Sequence, residues 1–315
     1  MPTQTEEISQ IIQKVISYED SYQPLFTRMD DDFARYWLLQ PYKPKAEEGV
    51  SDKDAYTTNR PRVLAETVHN AIAMSEMIVR VDNDESKEDG RKINDDYESW
   101  VIGSFSNANN WRLDGGNQAI ISEAGFRGIT RGHVLAARAM LRKSADDEST
   151  YEDIAPIDPR HLVFERGNGR ILWAAIVTRR SRAQIRSEYP SYRFDDTEEN
   201  DGNQKEKVID YFFTQGGKGK NAGKHLNSVI IGKKYARNKV ETHSPRFPIV
   251  IRMVGRNPGV SNFSFIKEEG GSTDIPGIEG TGDSVWGPMR GANLARNRSM
   301  TYRTGIMARE VQGVF

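Results

Sequence analysis

The sequence predicts an α+β chain, helical through its first third and β-rich beyond its middle. Three observations carry that expectation. Apolar residues recur at helical spacing up to residue 105, beginning with Ile8, Ile11, Ile12, Val15 and Ile16. Two apolar runs, 162–164 and 171–177, flank a turn containing Gly167, Asn168 and Gly169, the pattern of a β-hairpin. Short strand-like runs joined by glycine-rich connectors then fill residues 191–283, ahead of a last helix starting at Pro288.

Taken in order, Thr3 and Glu6 have capping-box spacing and open the first helix. A second is expected over 24–39, with Phe33, Tyr36 and Trp37 on its buried side and Pro41 and Pro44 beyond its end. Asn59 before Arg60 and Pro61 starts a third, lined by Leu64, Val68, Ala71 and Ile72. Ile93, Tyr97, Trp100 and Val101 give a fourth, ending near Gly103. Residues 111–142 carry conflicting signals: the alanines of 133–142 read as helix, whereas Gly125, Gly128 and Gly132 read as turns leading into a strand. After the hairpin, a short helix is expected from Arg179 to Tyr189, closed by Pro190. The runs 208–213, 228–231 and 247–254 are the strands of the β-rich unit, and 270–287 is a loop with six glycines. No internal repeat marks a solenoid or propeller.

The 315 residues imply roughly two domains. Lys and Arg number 44 against 45 Asp and Glu, apolar residues make up 37%, and mean hydropathy is −0.69, so much polar surface is expected. The absence of cysteine excludes disulfides, Cys-ligated metals, iron–sulfur clusters and thiol nucleophiles. The polar, acidic first residues do not form a signal peptide, and the longest apolar run, 171–177, is far below the ~20 residues of a membrane span, so a soluble, unexported chain is expected.

Catalytic motifs fail on inspection. The stretch 216–225 has Lys218 where a phosphate loop needs its first glycine and His225 where it needs a hydroxyl. The histidines at 69, 133, 161, 225 and 243 form no metal-ligand pair at helical spacing, and no Gly-x-Ser-x-Gly elbow occurs. Asp30, Asp31 and Asp32, or Asp95 and Asp96, would need distant partners to hold metals, because adjacent helical residues point apart. They read better as solvated or capping residues.

Charge is segregated along the chain. Residues 211–240 hold Lys218, Lys220, Lys224, Lys233, Lys234, Arg237 and Lys239, and no acid at all. Arg290, Arg296, Arg298, Arg303 and Arg309 face only Glu310 in 288–312. Arg179, Arg182 and Arg186 fall within about 60° on a helical wheel. Acids gather at 82–98 and 195–206. Such clusters are the footprint of phosphate contact, or of pairing with acids of the same or a neighbouring chain. In the last helix Met289, Met300, Met307 and Val311 form a stripe only about 40° wide, so it is expected to pack among copies or other helices with several faces wet.

Four segments, in this order, resemble tailed-bacteriophage portal proteins, the head-to-tail connectors. They are 158–164 (Asp158, Pro159, Arg160, His161 and the strand after them), 180–190, 247–250, and 282–288 followed by the Arg/Asn-rich helix. The resemblance spreads over residues 25–310. It implies a wing at 1–175, a first stem helix at 176–190, a clip domain at 191–283 and a second stem helix at 284–315, the chain ending before the rest of the wing and the crown. It also implies a homo-oligomeric ring, usually of twelve subunits, at a capsid vertex of the virion, assembled in the host cytoplasm. Double-stranded DNA would pass through the ring during genome packaging and ejection. Partners would be the large terminase subunit, the major capsid and scaffolding proteins and the neck or tail adaptors, with no membrane, cofactor, metal or enzymatic activity. Arg179, Arg182, Arg186, Arg290, Arg296, Arg298 and Arg303 would then lie on the stem and channel, and the basic residues of 218–239 on the docking clip. Twelve helices at about 10 Å leave a lumen of roughly 28 Å, wide enough for a duplex about 20 Å across. The alternatives are a head-completion adaptor and a metal-dependent nucleic-acid-processing enzyme built on Asp30–Asp32 or Asp95.

Overall fold

A computed structural model describes residues 4–39, 56–75, 78–79, 88–143, 150–167, 170–194, 203–216, 223–242, 244, 246–254, 286, 292, 295–303 and 307. The chain is α+β: among the described residues, five α-helices, a 3-10 turn and two antiparallel sheets precede a further helical stretch at 295–303. No described helix is long and apolar enough to cross a membrane.

The two helices expected before residue 40 are one, α1 (Gln4–Tyr36), which runs straight through Pro24. A proline inside a helix costs about 3 kcal/mol. Here Ile8, Val15, Tyr22, Leu25, Phe26 and Met29 bury a single stripe across that point, and this burial outweighs the lost hydrogen bond. Helix α2 (Arg60–Ala73) starts where Asn59 and Pro61 place it. Helix α3 (Glu88–Asp114) passes through Gly103 and stops at Gly115 and Gly116 instead. Gly116 has φ +75°, and the amides of Gly115, Gly116 and Asn117 close back on the carbonyls of Trp111, Leu113 and Arg112.

The ambiguous stretch is both helix and strand. Helix α4 (Ile120–Thr130) contains Gly125 and Gly128, which serve close packing rather than turns. A Cβ on Gly125 would lie 2.9 Å from Ile72 Cγ2, and one on Gly128 would lie 2.9 Å from Leu135 Cδ2. The turn is made by Gly132 and His133, both with positive φ, and strand β1 (Val134–Lys143) follows.

Strands β2 (Thr150–Ile157), β3 (Leu162–Gly167), β4 (Arg170–Ser181), β5 (Lys205–Thr214), β6 (His225–Ile231), β7 (Lys234–Glu241) and β8 (Ile249–Met253) complete the sheets. Their orders are β2-β1-β8 and β3-β4-β5-β6-β7. The hairpin β3–β4 forms as expected, but β4 continues to Ser181, its Arg179 and Arg180 standing opposite Lys207 and Glu206. The expected first stem helix at 176–190 is therefore corrected: only α5 (Arg182–Glu188) is helical, about 10 Å long, opened by a reciprocal Ser181–Gln184 capping box. The boundary drawn at 191 is also not a sheet boundary. Strand β5 pairs with β4, and β8 pairs with β1, so the β-rich part is woven into 134–181 rather than inserted as a separate unit. The 270–287 loop lies outside the described residues except for Trp286.

Helix α1 packs on the five-stranded sheet. Tyr18 stands edge-on to Trp173 at 4.8 Å, and Tyr22 stands edge-on to Phe164 at 5.9 Å while its hydroxyl donates to the Phe164 carbonyl at 2.8 Å. The smaller sheet closes the same core through Val134, Ala136, Ile249 and Ile251. A second cluster lies under α5, formed by Ile185, Tyr189, Val208, Val229 and Ile231.

Candidate functional site

The first segment of the portal resemblance is a junction. Asp158 caps the 3-10 turn (Pro159–His161) by accepting from the Arg160 amide at 3.0 Å. Its carboxylate also pairs with Arg127 at 3.0 Å and Arg131 at 3.4 Å, both from α4 or its end. Arg131 and Arg160 reach Asp30 of α1 at 2.7 and 2.9 Å and lie over Phe33 and Phe26. Glu123 extends the chain of pairs from Arg127 to Arg112. The carboxylate that caps the 3-10 turn thus ties α4 to the β2–β3 connection, and a second, on α1, ties in the first helix. Burial holds His161 below its usual pKa, against the opposing field of Asp158.

Of the acids considered for metal chemistry, Asp30 and Asp32 are engaged in ion pairs. Asp30 serves Arg131 and Arg160, and fully buried Asp32 accepts from Arg35 at 2.6 Å. Asp95 and Asp96 lie exposed on α3. Among the described residues, no three His, Asp or Glu converge on a possible metal position.

Several of the basic residues picked out in the sequence are also internally engaged. Arg182 is buried, pairing with Glu206 at 2.9 Å and lying 4.8 Å over Phe194, so its expected channel position is corrected. Arg186 reaches the same ring at 5.7 Å, and Arg179 is exposed on β4. Lys224 pairs with Glu241 and Lys239 with Glu7, each at 2.6 Å, and Arg237 lies 5.6 Å over Tyr189. Lys233 and Lys234 are exposed at the β6–β7 turn. Arg298 and Arg303 are exposed, Arg298 over Tyr302 at 5.7 Å. Lys218, Lys220 and Arg290 lie outside the described residues.

The last helix buries polar residues. Asn297 accepts from the Thr58 amide at 3.0 Å, and Thr301 accepts from the Tyr56 amide at 2.9 Å, both side chains lying inside. Of the methionine stripe, Met300 is half-buried and Met307 is 51% exposed, while Met289 and Val311 lie outside the described residues. Trp286 is fully buried with Ala65 and Ile129. Arg296 lines a cleft of about 540 Å³ with Tyr56, Thr58, Arg60 and Thr67.

Sequence reasoning missed a buried polar cluster between the sheets. Asp210 of β5 is buried, accepts from Asn227 Nδ2 and lies 3.9 Å from Arg138 of β1, which also pairs with Asp153 at 2.7 Å. Burial pushes the Asp210 carboxyl above its usual pKa, against the pull of Arg138, the Asn227 hydrogen bond, Arg180 and Arg237. The one available signal was an aspartate inside the apolar run 208–213. No family model and no curated protein matches this chain.

Proposed function

We propose that the chain is the subunit of a phage portal, a non-enzymatic ring at a capsid vertex through which double-stranded DNA is packaged and ejected. The observation that carries this reading is the order of the four resembling segments along one chain. The junction built on Asp158 supports it, since the first segment is placed where three elements meet and its residue types have a structural use there. Exposed large apolar side chains at the end of α2, just beyond it and on α3, among them Met74, Ile78 and Trp100, favour a subunit that is covered on assembly. Terminase, capsid and scaffolding proteins and neck or tail adaptors are the partners of this reading, and the virion is its location.

Arg182 drops out of the DNA-facing set because it is engaged by Glu206. Arg179, Arg298 and Arg303 stay in it as exposed residues, and Lys233 and Lys234 stay as docking candidates. Electron microscopy of the purified chain, with light scattering in parallel, tests the proposal. Rings with an axial opening are expected. A monomer at high concentration, or a closed assembly without an opening, refutes it.

A further inference from the structure

The cleft beside Arg296 is built from three pieces of chain. Segment 56–58 is strapped to the helical stretch 295–303, Thr58 donating its amide to Asn297 Oδ1 at 3.0 Å and Tyr56 its amide to Thr301 Oγ1 at 2.9 Å. Asn297 and Thr301 are four residues apart and so share a helix face, and both are buried, as is Thr58. Helix α2 follows at once, and Arg60, Val63, Leu64 and Thr67, spaced i, i+3, i+4 and i+7, give one of its faces to the cleft. Arg296, the neighbour of Asn297, completes the lining, which contains no acid. The volume of about 540 Å³ lies within the roughly 300–1,000 Å³ of small-molecule sites.

The charge in this cleft is unmet. Arg112, Arg131, Arg138 and Arg182, all set into the fold, each hold a carboxylate. Arg296 differs: its Nε is buried without a hydrogen-bond partner, and among the described residues neither it nor Arg60 pairs with an acid. Arg112 and Arg138 also leave Nε unpaired, but Glu123 and Asp153 answer their charge. The one acid of α2, Glu66, is taken up by Arg62 at 2.7 Å. A donor held inside without a partner costs stability, which a bound anion would offset.

We infer that this cleft binds a phosphate group, shared by the guanidinium groups of Arg60 and Arg296, with the body that carries it laid along Val63 and Leu64. Planar guanidinium groups present parallel N–H donors that match phosphate oxygens. Two arginines balance the charge of about −1.5 to −2 on a phosphate monoester, whereas a carboxylate would answer only one of them. Thr58 Oγ1 accepts from the Arg60 amide at 3.5 Å, which leaves its own proton to donate. Val63, 52% exposed, supplies an apolar surface for the body of the ligand. The inference goes beyond the portal reading and does not require a ring.

Titration calorimetry of the full chain tests it, with inorganic phosphate, adenosine monophosphate, adenosine and a short DNA duplex as probes. Phosphate and the monophosphate are expected to bind and adenosine to give no heat. Arg296→Gln and Arg60→Gln, the second at an exposed position, should each weaken binding at least about tenfold, and Arg170→Gln, exposed on the β3–β4 hairpin, should leave it unchanged. Tighter binding of the monophosphate than of the duplex would identify a small phosphorylated ligand. Tighter binding of the duplex, with the same dependence on both arginines, would identify a nucleic-acid backbone as the source of the phosphate. Without phosphate, Arg296→Gln is expected to keep the wild-type melting temperature, because the side chain holds no carboxylate to lose. A large drop there would give the guanidinium a structural partner and overturn the inference. Adenosine binding as well as its monophosphate, no binding of any phosphate probe, or binding unaltered in both variants would also overturn it, each leaving the portal reading standing.

Discussion

Asp210 sets two electrostatic effects against each other, and removing it measures which one wins. Its carboxylate is buried, hydrogen-bonded by Asn227 and close to Arg138, with Arg180 and Arg237 nearby. Breaking a buried pair typically costs about 3–5 kcal/mol because a charge is left behind. Here the arginines keep other partners: Arg138 retains Asp153 and Arg180 retains Glu188. The loss in Asp210→Ala is then mainly the Asn227 hydrogen bond and an under-satisfied buried amide, about 2–3 kcal/mol. Asp210→Asn keeps the shape and is expected to cost about 1 kcal/mol.

The pH dependence of the wild type against Asp210→Asn decides the sign. Burial raises the folded pKa of Asp210 above the ordinary 3.8, so the folded state holds this proton more tightly than the unfolded chain. The contribution is fully present below the unfolded pKa and is lost as pH rises through the folded pKa. Urea unfolding of both proteins at several pH values should show the wild-type advantage shrinking as pH rises through that window. An advantage that grows with pH would mean that the arginines hold an ion there, refuting the argument that desolvation dominates.

The junction residues and close contacts give further tests. Asp158→Ala removes a turn cap worth about 1 kcal/mol together with two partly buried ion pairs, and a total loss of about 2–4 kcal/mol is expected by denaturant unfolding. Gly125→Ala places a methyl 2.9 Å from Ile72 Cγ2 and should cost about 1–3 kcal/mol, and less in an Ile72→Ala background, which removes Cγ2. Arg182→Met should lower the melting temperature at least as much as it alters DNA contact, because the guanidinium is buried on Glu206; an unchanged melting temperature would put Arg182 back among the surface cations.

Legibility followed how strongly one local pattern dominated. Strands β3, β4, β5 and β6 carry apolar runs and were readable, whereas edge strand β7 (Lys234–Glu241), with Arg, Asn and Lys among its residues, gave no strand signal. Pro24 and Gly103 looked like stops, yet helix continuation is decided by burial on α1 and by the Gly115–Gly116 end on α3, which lie elsewhere in the chain. Gly125 and Gly128 looked like turns because a sequence does not show that Ile72 and Leu135 press against them. The Arg179, Arg182 and Arg186 stripe assumed a helix from 179. With Arg179 on a strand and Arg182 in the first helical turn, the stripe does not exist.

The arginines show why charge clusters misled as a group. Arg131, Arg160, Arg182 and Arg237 each stack on an aromatic ring, and the first three also hold a carboxylate. A planar guanidinium is suited to both partners at once, so a fold that joins helices to sheets through such triads will be arginine-rich whether or not it meets phosphate. Arginine density along this chain is therefore weak support for DNA contact.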